Sequence, residues 1–267
     1  MKEFEEDFSK YNGEGTTLRA AQLRLLEIMK EFDKICKKYN LPYILDSGTC
    51  LGAVRHGGFI PWDDDVDIGM WHKDYKKLLK ILSKELSNNY FLQTIKTDKN
   101  YHRMFAKITD KNSKTIYKNN YIRKNLIFNG ISIDIIPIEK CCSKKIQKVI
   151  NYFYTASLIH IRANTEKPIK KLISFIIYPL FKLFTQIFRF FSLFSSKEKI
   201  CYSLGTGFNH KLQYSNCFPP KPMVFEGYTF CGPAKPHEYL ADLYGEDYMN
   251  LPPKEDRFTH SISIELY

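Results

Sequence analysis

The chain has 267 residues, of which 44% are hydrophobic and 15% aromatic, and this composition excludes an intrinsically disordered protein. By length it is expected to form one domain, or one domain with a large insertion. A surplus of 40 lysines and arginines over 29 acidic residues gives a net charge of +11, which suits phosphates, nucleotides or an anionic membrane without choosing among them. No recognised nucleic-acid-binding motif accompanies the charge, so nucleic acid is not expected as a partner.

Cysteine usage and the N-terminal composition favour a cytoplasmic location. The seven cysteines are an odd number and their only close pair is Cys141 and Cys142, so neither a disulfide framework nor a CxxC zinc site is expected. Residues 1–14 are acidic and polar and contain no apolar stretch of the kind found in secretory signals. We therefore expect reduced thiols and cytosolic chemistry.

Hydrophobic periodicity predicts helices and strands through the first half of the chain. The longest helix should end where Asn40 and Pro42 interrupt it, and the last strand should end at Pro137. The predicted elements are a helix over 17–39, a strand over 43–45, a small-residue turn at Ser47-Gly48-Thr49, a helix over 51–55, a strand over 65–68, a helix over 74–86, and strands over 91–95, 104–108 and 131–136. These strands indicate that a sheet forms in this half.

The pattern changes at residue 143. From there to about residue 196 it is helical and very apolar, and from Tyr214 proline and glycine return with a predicted hairpin over 224–230. We divide the chain into a catalytic core over residues 1–142, a helical and strongly apolar insertion over 143–213, and a C-terminal segment over 214–267 that completes the catalytic domain.

Four aspartates within residues 63–67 are the first chemical signal. Carboxylates this close repel one another unless a cation compensates them, and hard divalent ions such as Mg²⁺ take oxygen ligands. Positions i and i+2 of a strand share a face, so Asp65 and Asp67 can bind one ion while Val66 and Ile68 enter the core. A solvated acidic turn is a weaker alternative, and a calcium EF-hand loop is weaker still because Ile68 stands where its sharp turn requires glycine.

Asp134 is the second signal, because it lies in an apolar strand between Ile133 and Ile135. An unpaired charge there would be costly, and the ion at Asp65 and Asp67 is the most economical partner. A salt bridge to a buried arginine or lysine remains the alternative for Asp134.

The segment from Gly48 to Gly69 reads GTCLGAVRHGGFIPWDDDVDIG and resembles the signature of the LicD family of phosphocholine transferases, with fukutin-like proteins as more distant relatives. The resemblance continues through residues 133–137 and returns over 239–260, so it covers about half the chain in order. Ser47 departs from the second glycine that many relatives have, and Glu139 stands where aspartate is commoner.

The resemblance implies an α+β fold of the nucleotidyltransferase type, with a mixed sheet flanked by helices. It also implies Mg²⁺ or Mn²⁺ held by the catalytic carboxylates Asp65, Asp67 and Asp134, of which Asp134 could also accept a proton. Phosphate chemistry adds glycine N–H groups, a hydroxyl and cations as binding groups for a diphosphate, with the histidine the weakest of the set. The candidate phosphate- and substrate-binding residues are Gly48, Thr49, Arg55, Lys107 and His260.

For activity, the resemblance implies transfer of a phosphorylated alcohol, typically phosphocholine from a CDP-choline-like donor, to a hydroxyl of a cell-surface glycan or glycolipid precursor. Ribitol-phosphate, phosphoethanolamine or plain nucleotidyl transfer would use the same carboxylates. The alternative from another class is a non-catalytic, membrane-associated binding protein.

Residues 172–194 are apolar and long enough to cross a bilayer, but polar side chains at helical spacing interrupt them. This polar stripe comprises Ser174, Tyr178, Lys182, Thr185, Arg189 and Ser192. A cationic stripe on a broad apolar helix favours a helix lying on the inner face of the cell membrane, with Lys170 and Lys171 nearby for anionic headgroups. A helix buried in the protein and a membrane-spanning helix are the alternatives.

Overall fold

A computed structural model describes residues 6–117, 125–162, 168–210 and 212–267. The helices are α1 (Ser9–Asn12), α2 (Thr17–Lys38), α3 (Ser47–His56), α4 (His72–Glu85), α5 (Lys144–Arg162), α6 (Pro168–Leu193), α7 (Tyr214–Cys217) and α8 (Pro236–Tyr244), with a short 3-10 turn at Lys254–Asp256. The strands are β1 (Ile44–Leu45), β2 (Val66–Trp71), β3 (Tyr90–Gln93), β4 (Ala106–Asp110), β5 (Ser113–Tyr117), β6 (Ser132–Lys140), β7 (Lys199–Tyr202), β8 (Leu212–Gln213), β9 (Lys221–Phe225), β10 (Tyr228–Gly232) and β11 (Ser261–Leu266).

The central sheet is mixed. Its order is β1-β2-β6-β4-β3, and β7 and β8 extend it from β6. Strands β2 and β6 run parallel, whereas the other neighbours in the sheet are antiparallel. Helices α2 and α4 pack against β6. The predicted α+β class, with a mixed sheet flanked by helices, is confirmed.

Strand β6 continues through Pro137, so the prediction that this proline ends the strand is wrong. Along one edge, β6 pairs with β4 as far as Ile135 and with β7 from Ile138 onwards. Pro137 lies between the two partners, where a missing N–H breaks no ladder bond with either, and its carbonyl accepts a hydrogen bond from the Ser203 N–H (2.8 Å). The change of partner therefore explains why proline is tolerated.

Helix α2 forms as its periodicity predicts. Thr16 caps it by accepting a hydrogen bond through Oγ1 from the Arg19 N–H (3.2 Å). The apolar stripe that includes Leu25, Ile28 and Phe32 is fully buried in the main core. The core thus takes up one face of the helix and leaves the charged face to solvent.

Several predicted boundaries differ from the structure by a few residues, and two differences bear on the site and on the division of the chain. Helix α3 begins at Ser47, so Ser47-Gly48-Thr49 is the first turn of a helix and not a turn that precedes one. Within residues 143–213 the helices α5 and α6 are present as expected, but β7 and β8 also fall in this range and join the central sheet. Strand pairing, which local periodicity does not show, decides the second difference.

The hairpin of β9 and β10 is confirmed and supports the region of the site. Its two turn residues, Glu226 (φ 51°) and Gly227 (φ 75°), have the left-handed conformation that a tight hairpin turn requires. The Glu226 carboxylate accepts a hydrogen bond from the Phe59 N–H (3.1 Å) and pairs with Arg19 (2.7 Å). The C-terminal segment thereby holds the loop that precedes the aspartates.

Candidate active site

Three charged side chains form a row across three adjacent strands. Asp67 on β2 lies in register with Asp134 on β6, and Asp134 lies in register with Lys107 on β4. Side chains directly opposite each other across neighbouring strands share one face of the sheet at contact distance. On the other face, Val66 and Ile68 are fully buried in the core, as the alternation predicts.

The first turn of α3 faces these carboxylates. The Asp67 N–H donates to Thr49 Oγ1 (2.8 Å), so the buried threonine fixes the backbone of β2. A Cβ atom at Gly48 would lie 3.1 Å from Asp63 Oδ2, which shows how closely the helix backbone approaches the aspartates. The first turn of a helix also has N–H groups without intrahelical acceptors, which suits a phosphate at this position.

Asp64 ties the distant C-terminal segment to the aspartate run. Its carboxylate accepts hydrogen bonds from the His260 N–H (2.9 Å), the Ser261 N–H (2.9 Å) and the Ser261 hydroxyl. As a result the His260 ring lies over the run, with Nε2 3.8 Å from Asp63 Oδ1 and 3.9 Å from Asp65 Oδ2. The structure therefore places the candidate residue His260 beside the carboxylates.

Oxygen donors dominate the site, and their chemistry fits a hard divalent cation. Among the residues that the structure describes, Asp63, Asp64 and His260 place one candidate ligand atom each within 4.8 Å of one another. This set differs from the predicted ligands Asp65, Asp67 and Asp134. Both carboxylate oxygens of Asp64 already accept hydrogen bonds. Its neighbours in the run, Asp63 and Asp65, are therefore the better ligands for a metal ion.

The electrostatics of the cluster also favour a cation. Burial, followed by repulsion from the neighbouring carboxylates, raises the pKa of Asp63 and of Asp67 well above the usual range. Burial raises the pKa of Asp65 as well, although the nearby His260 opposes the change. A divalent ion would remove the repulsion that disfavours the ionised forms.

Lys107 is the local counter-charge. Its ammonium donates a hydrogen bond to Asp134 Oδ1 and a longer one to Ser132 Oγ (3.3 Å). The salt bridge considered as the alternative for Asp134 is therefore present. The sequence predicts Lys107 as a cation that binds the diphosphate, and in the structure this same lysine is the partner of Asp134 in the salt bridge.

Arg55 lies elsewhere. Its guanidinium is buried and donates through Nη1 to the carbonyl oxygens of Tyr248 (3.0 Å) and Asn250 (2.9 Å), and through Nε to His56 Nε2 (3.1 Å). The structure thus gives this candidate for diphosphate binding a set of contacts that anchors the segment after α8.

A cavity of about 210 Å³ opens beside Asp134 and contains side chains that the sequence did not single out. Its wall combines cations with aromatic rings, and includes Arg103, Phe105, Lys107, Phe128, Asp134 and Phe208. Apart from Lys107 and Asp134, these residues carry no motif, and Arg103 and Phe208 lie about a hundred positions apart, so only the fold reveals that they belong to one pocket.

Comparison with known proteins identifies the relatives of this chain. Residues 40–140 match the family model described as LicD/FKTN/FKRP, nucleotidyltransferase domain. The chain is 31% identical over 260 residues to the lipopolysaccharide cholinephosphotransferase LicD of Haemophilus influenzae, which covers 92% of this chain and 96% of that protein. It is 36% identical over 76 residues to the human ribitol-5-phosphate transferase FKTN, covering 28% of this chain and 16% of that protein. With the human ribitol 5-phosphate transferase FKRP it shares 56% identity over 32 residues, 12% of this chain and 6% of that protein.

Proposed function

We propose that this chain, which belongs to the LicD family and is a phosphotransferase, moves phosphocholine from CDP-choline to a hydroxyl of a cell-surface glycan or glycolipid precursor. The observation that carries the proposal is the extent of similarity to a cholinephosphotransferase, which runs over nearly the whole of both chains. Similarity to the ribitol-phosphate transferases is limited to short segments. Ribitol-phosphate or phosphoethanolamine transfer is therefore the second choice on the same site.

In the proposed reaction, the acceptor hydroxyl oxygen forms a bond to the phosphorus of phosphocholine while the bond from that phosphorus to CMP breaks. Asp65, Asp67 and Asp134 would hold Mg²⁺ or Mn²⁺, which supplies positive charge to the diphosphate oxygens. Asp134 accepts the hydroxyl proton, since it borders the cavity. Lys107, on the same cavity wall, exchanges its contact with Asp134 for a phosphate oxygen.

The cavity beside Asp134 suits the two halves of the proposed donor group. Arg103 and Lys107 offer cations to phosphate oxygens, and the rings of Phe105, Phe128 and Phe208 offer aromatic faces. Quaternary ammonium groups are attracted to such faces, which favours choline over ribitol.

The test is a donor panel. Purified protein with MgCl₂ should release CMP from CDP-choline slowly alone and faster with a glycan acceptor, and more slowly from CDP-ribitol and CDP-ethanolamine. The isosteric variant Asp65→Asn serves as the catalytic control. Release of CDP, or of diphosphate from a nucleoside triphosphate, would contradict phosphocholine transfer, and a folded wild type inert on the whole panel would favour a binding protein.

A further inference from the structure

Helix α6 is apolar on the outside and polar on the inside. Its small polar residues Ser174, Thr185 and Ser192 are buried against the protein, with 2% to 5% of their surface exposed. Large apolar side chains are exposed instead, namely Ile169, Leu172, Ile173, Phe175, Ile176, Leu180, Leu183, Phe184, Ile187, Phe190, Phe191 and Leu193. Such a surface is the reverse of a water-facing helix and marks an interaction site.

The inner side of α6 is firmly attached to the domain. Arg189 donates to Glu139 on β6 (2.8 Å), and the Cys142 N–H donates to Ser192 Oγ (3.0 Å). Phe188 is buried in a small second core. The protein therefore covers Thr185 and the two serines of the polar stripe, and Glu139 holds Arg189.

The exposed surface continues onto α5. Ile146, Val149, Tyr152 and Phe153 are exposed there, and the ring of Phe153 stacks on Phe181 of α6 with centroids 5.5 Å apart. Together with the exposed residues of α6, these four residues form one surface, named here the α5–α6 apolar face. It belongs to two packed helices and not to a single helix.

The charge around this face selects its partner. Residues 143–197 contain ten lysines and arginines against a single acidic residue. Lys145, Lys148, Lys170 and Lys182 are among the exposed ones. A second copy of the chain would bring equal basic charge to the interface and be repelled, whereas an anionic lipid surface is complementary.

We propose that the α5–α6 apolar face docks on an anionic lipid bilayer, with α6 lying in the plane of the membrane. Helix α6 is long and apolar enough to cross a bilayer. However, its attachment to Glu139 on β6 through Arg189, and to Cys142 through Ser192, holds it on the surface of the domain. In a cell, the surface with this chemistry is the inner leaflet of the cell membrane.

Docking would also place the cavity beside the lipid. The outer side of α5 carries part of the apolar face, and its inner side holds part of the cavity wall. On its inner side, Asn151 accepts hydrogen bonds from the Gly205 N–H (2.8 Å) and the Gly207 N–H (3.2 Å) and donates to the Phe208 carbonyl (2.9 Å). Gly207 and Phe208 line the cavity. A membrane-anchored acceptor would then reach the site directly; this consequence alone rests on the proposed function.

Flotation with lipid vesicles tests the docking. The full chain should float with vesicles of phosphatidylcholine and phosphatidylglycerol, less with phosphatidylcholine alone, and less in about 1 M salt, where the Debye length is about 3 Å. The double variant Phe190→Ser/Phe191→Ser changes side chains of this face that are 57% and 58% exposed, so it should keep its fold. Its partition onto anionic vesicles should fall at least about tenfold, since two phenylalanines no longer leave water.

The matched control is Val224→Ser/Ile262→Ser, which removes two apolar side chains that are 58% and 64% exposed outside this face, and it should float like wild type. Circular dichroism and CMP release with a water-soluble acceptor should be equal for all three proteins. Wild type that stays unbound, a phenylalanine variant that floats like wild type, or a dimer that covers the face and binds neither vesicle would overturn the proposal. Flotation without CMP release would instead contradict the proposed function.

Discussion

The ammonium of Lys107 contacts the carboxylate of Asp134 across adjacent antiparallel strands, and Asp67 is the next residue in the same row. Lysine therefore supplies the local positive charge in a cluster whose other members are acidic. In the proposed reaction Lys107 would exchange this contact for a phosphate oxygen, and Asp134 would be among the carboxylates that hold a divalent ion.

Removing one member of this pair should destabilise the fold. Both side chains are mostly buried, 14% exposed for Lys107 and 13% for Asp134. Lys107→Met should lower the free energy of unfolding by about 3 kcal/mol, because it leaves a buried carboxylate without a partner. The double variant Lys107→Met/Asp134→Asn should regain most of this loss without regaining activity. Urea unfolding of wild type and these variants measures the differences in free energy of unfolding. The control is Lys114→Met, which changes an exposed lysine on β5 and should change stability by less than about 0.5 kcal/mol.

The stability of the metal-free protein should fall as pH rises. Because the folded protein raises the pKa of Asp63 and Asp67, these groups contribute stability below their ordinary pKa of about 4, and the contribution is lost as pH passes through the raised values. Asp67→Asn should therefore match wild type near pH 4 and exceed its melting temperature at neutral pH. Asp256→Asn, an exposed aspartate, is the control.

Magnesium should reverse that order at neutral pH. Ion binding stabilises only a protein with an intact site, so MgCl₂ should raise the melting temperature of wild type more than that of Asp65→Asn or Asp67→Asn. Thermal unfolding with and without the ion provides the comparison. Equal shifts for wild type and both variants would remove these aspartates from the metal site.

Arg55 should act on stability more than on donor binding. Burial lowers its pKa to about 10, so it stays charged at neutral pH and holds the carbonyls of Tyr248 and Asn250. Arg55→Met should reduce the free energy of unfolding by about 3 kcal/mol, since two buried acceptors lose a charged donor. The donor KM of the folded fraction should stay near that of wild type. A raised KM in Arg55→Lys with an unchanged melting temperature would assign it to the diphosphate instead.

Gly52 should not tolerate a side chain. An added Cβ atom would lie 2.4 Å from the Gly58 carbonyl oxygen, a backbone atom of the loop that leads to the aspartates. Gly52→Ala should cost about 2 kcal/mol and reduce CMP release, because α3 and this loop must separate. Gly227→Asn is the control, since among the described residues no atom beyond the two chain neighbours lies within 4 Å of an added Cβ there, and asparagine accepts the left-handed conformation. Thermal unfolding and CMP release of the two variants decide the matter.

Patterns among residues close together in the sequence were sufficient to predict several parts of this protein. Periodicity predicts α2 and the alternation that buries Val66 and Ile68 beneath the aspartates, because both features depend on neighbours in the chain. The motif from Gly48 to Gly69 identifies the family from the sequence alone, because its residues are consecutive and form one helix, loop and strand.

Contacts between distant segments decided the rest. Pairing of β6 with β4 and then β7 carries the strand through Pro137, which local rules would place at its end. The hydrogen bonds of Asp64 bring His260 to the aspartates across 196 positions of chain. A helical pattern defines the polar stripe of α6, but Glu139, far away in sequence, fixes which side faces the protein. Periodicity shows only that a helix has two faces; the partner of each face is chosen by packing between segments that the sequence keeps apart.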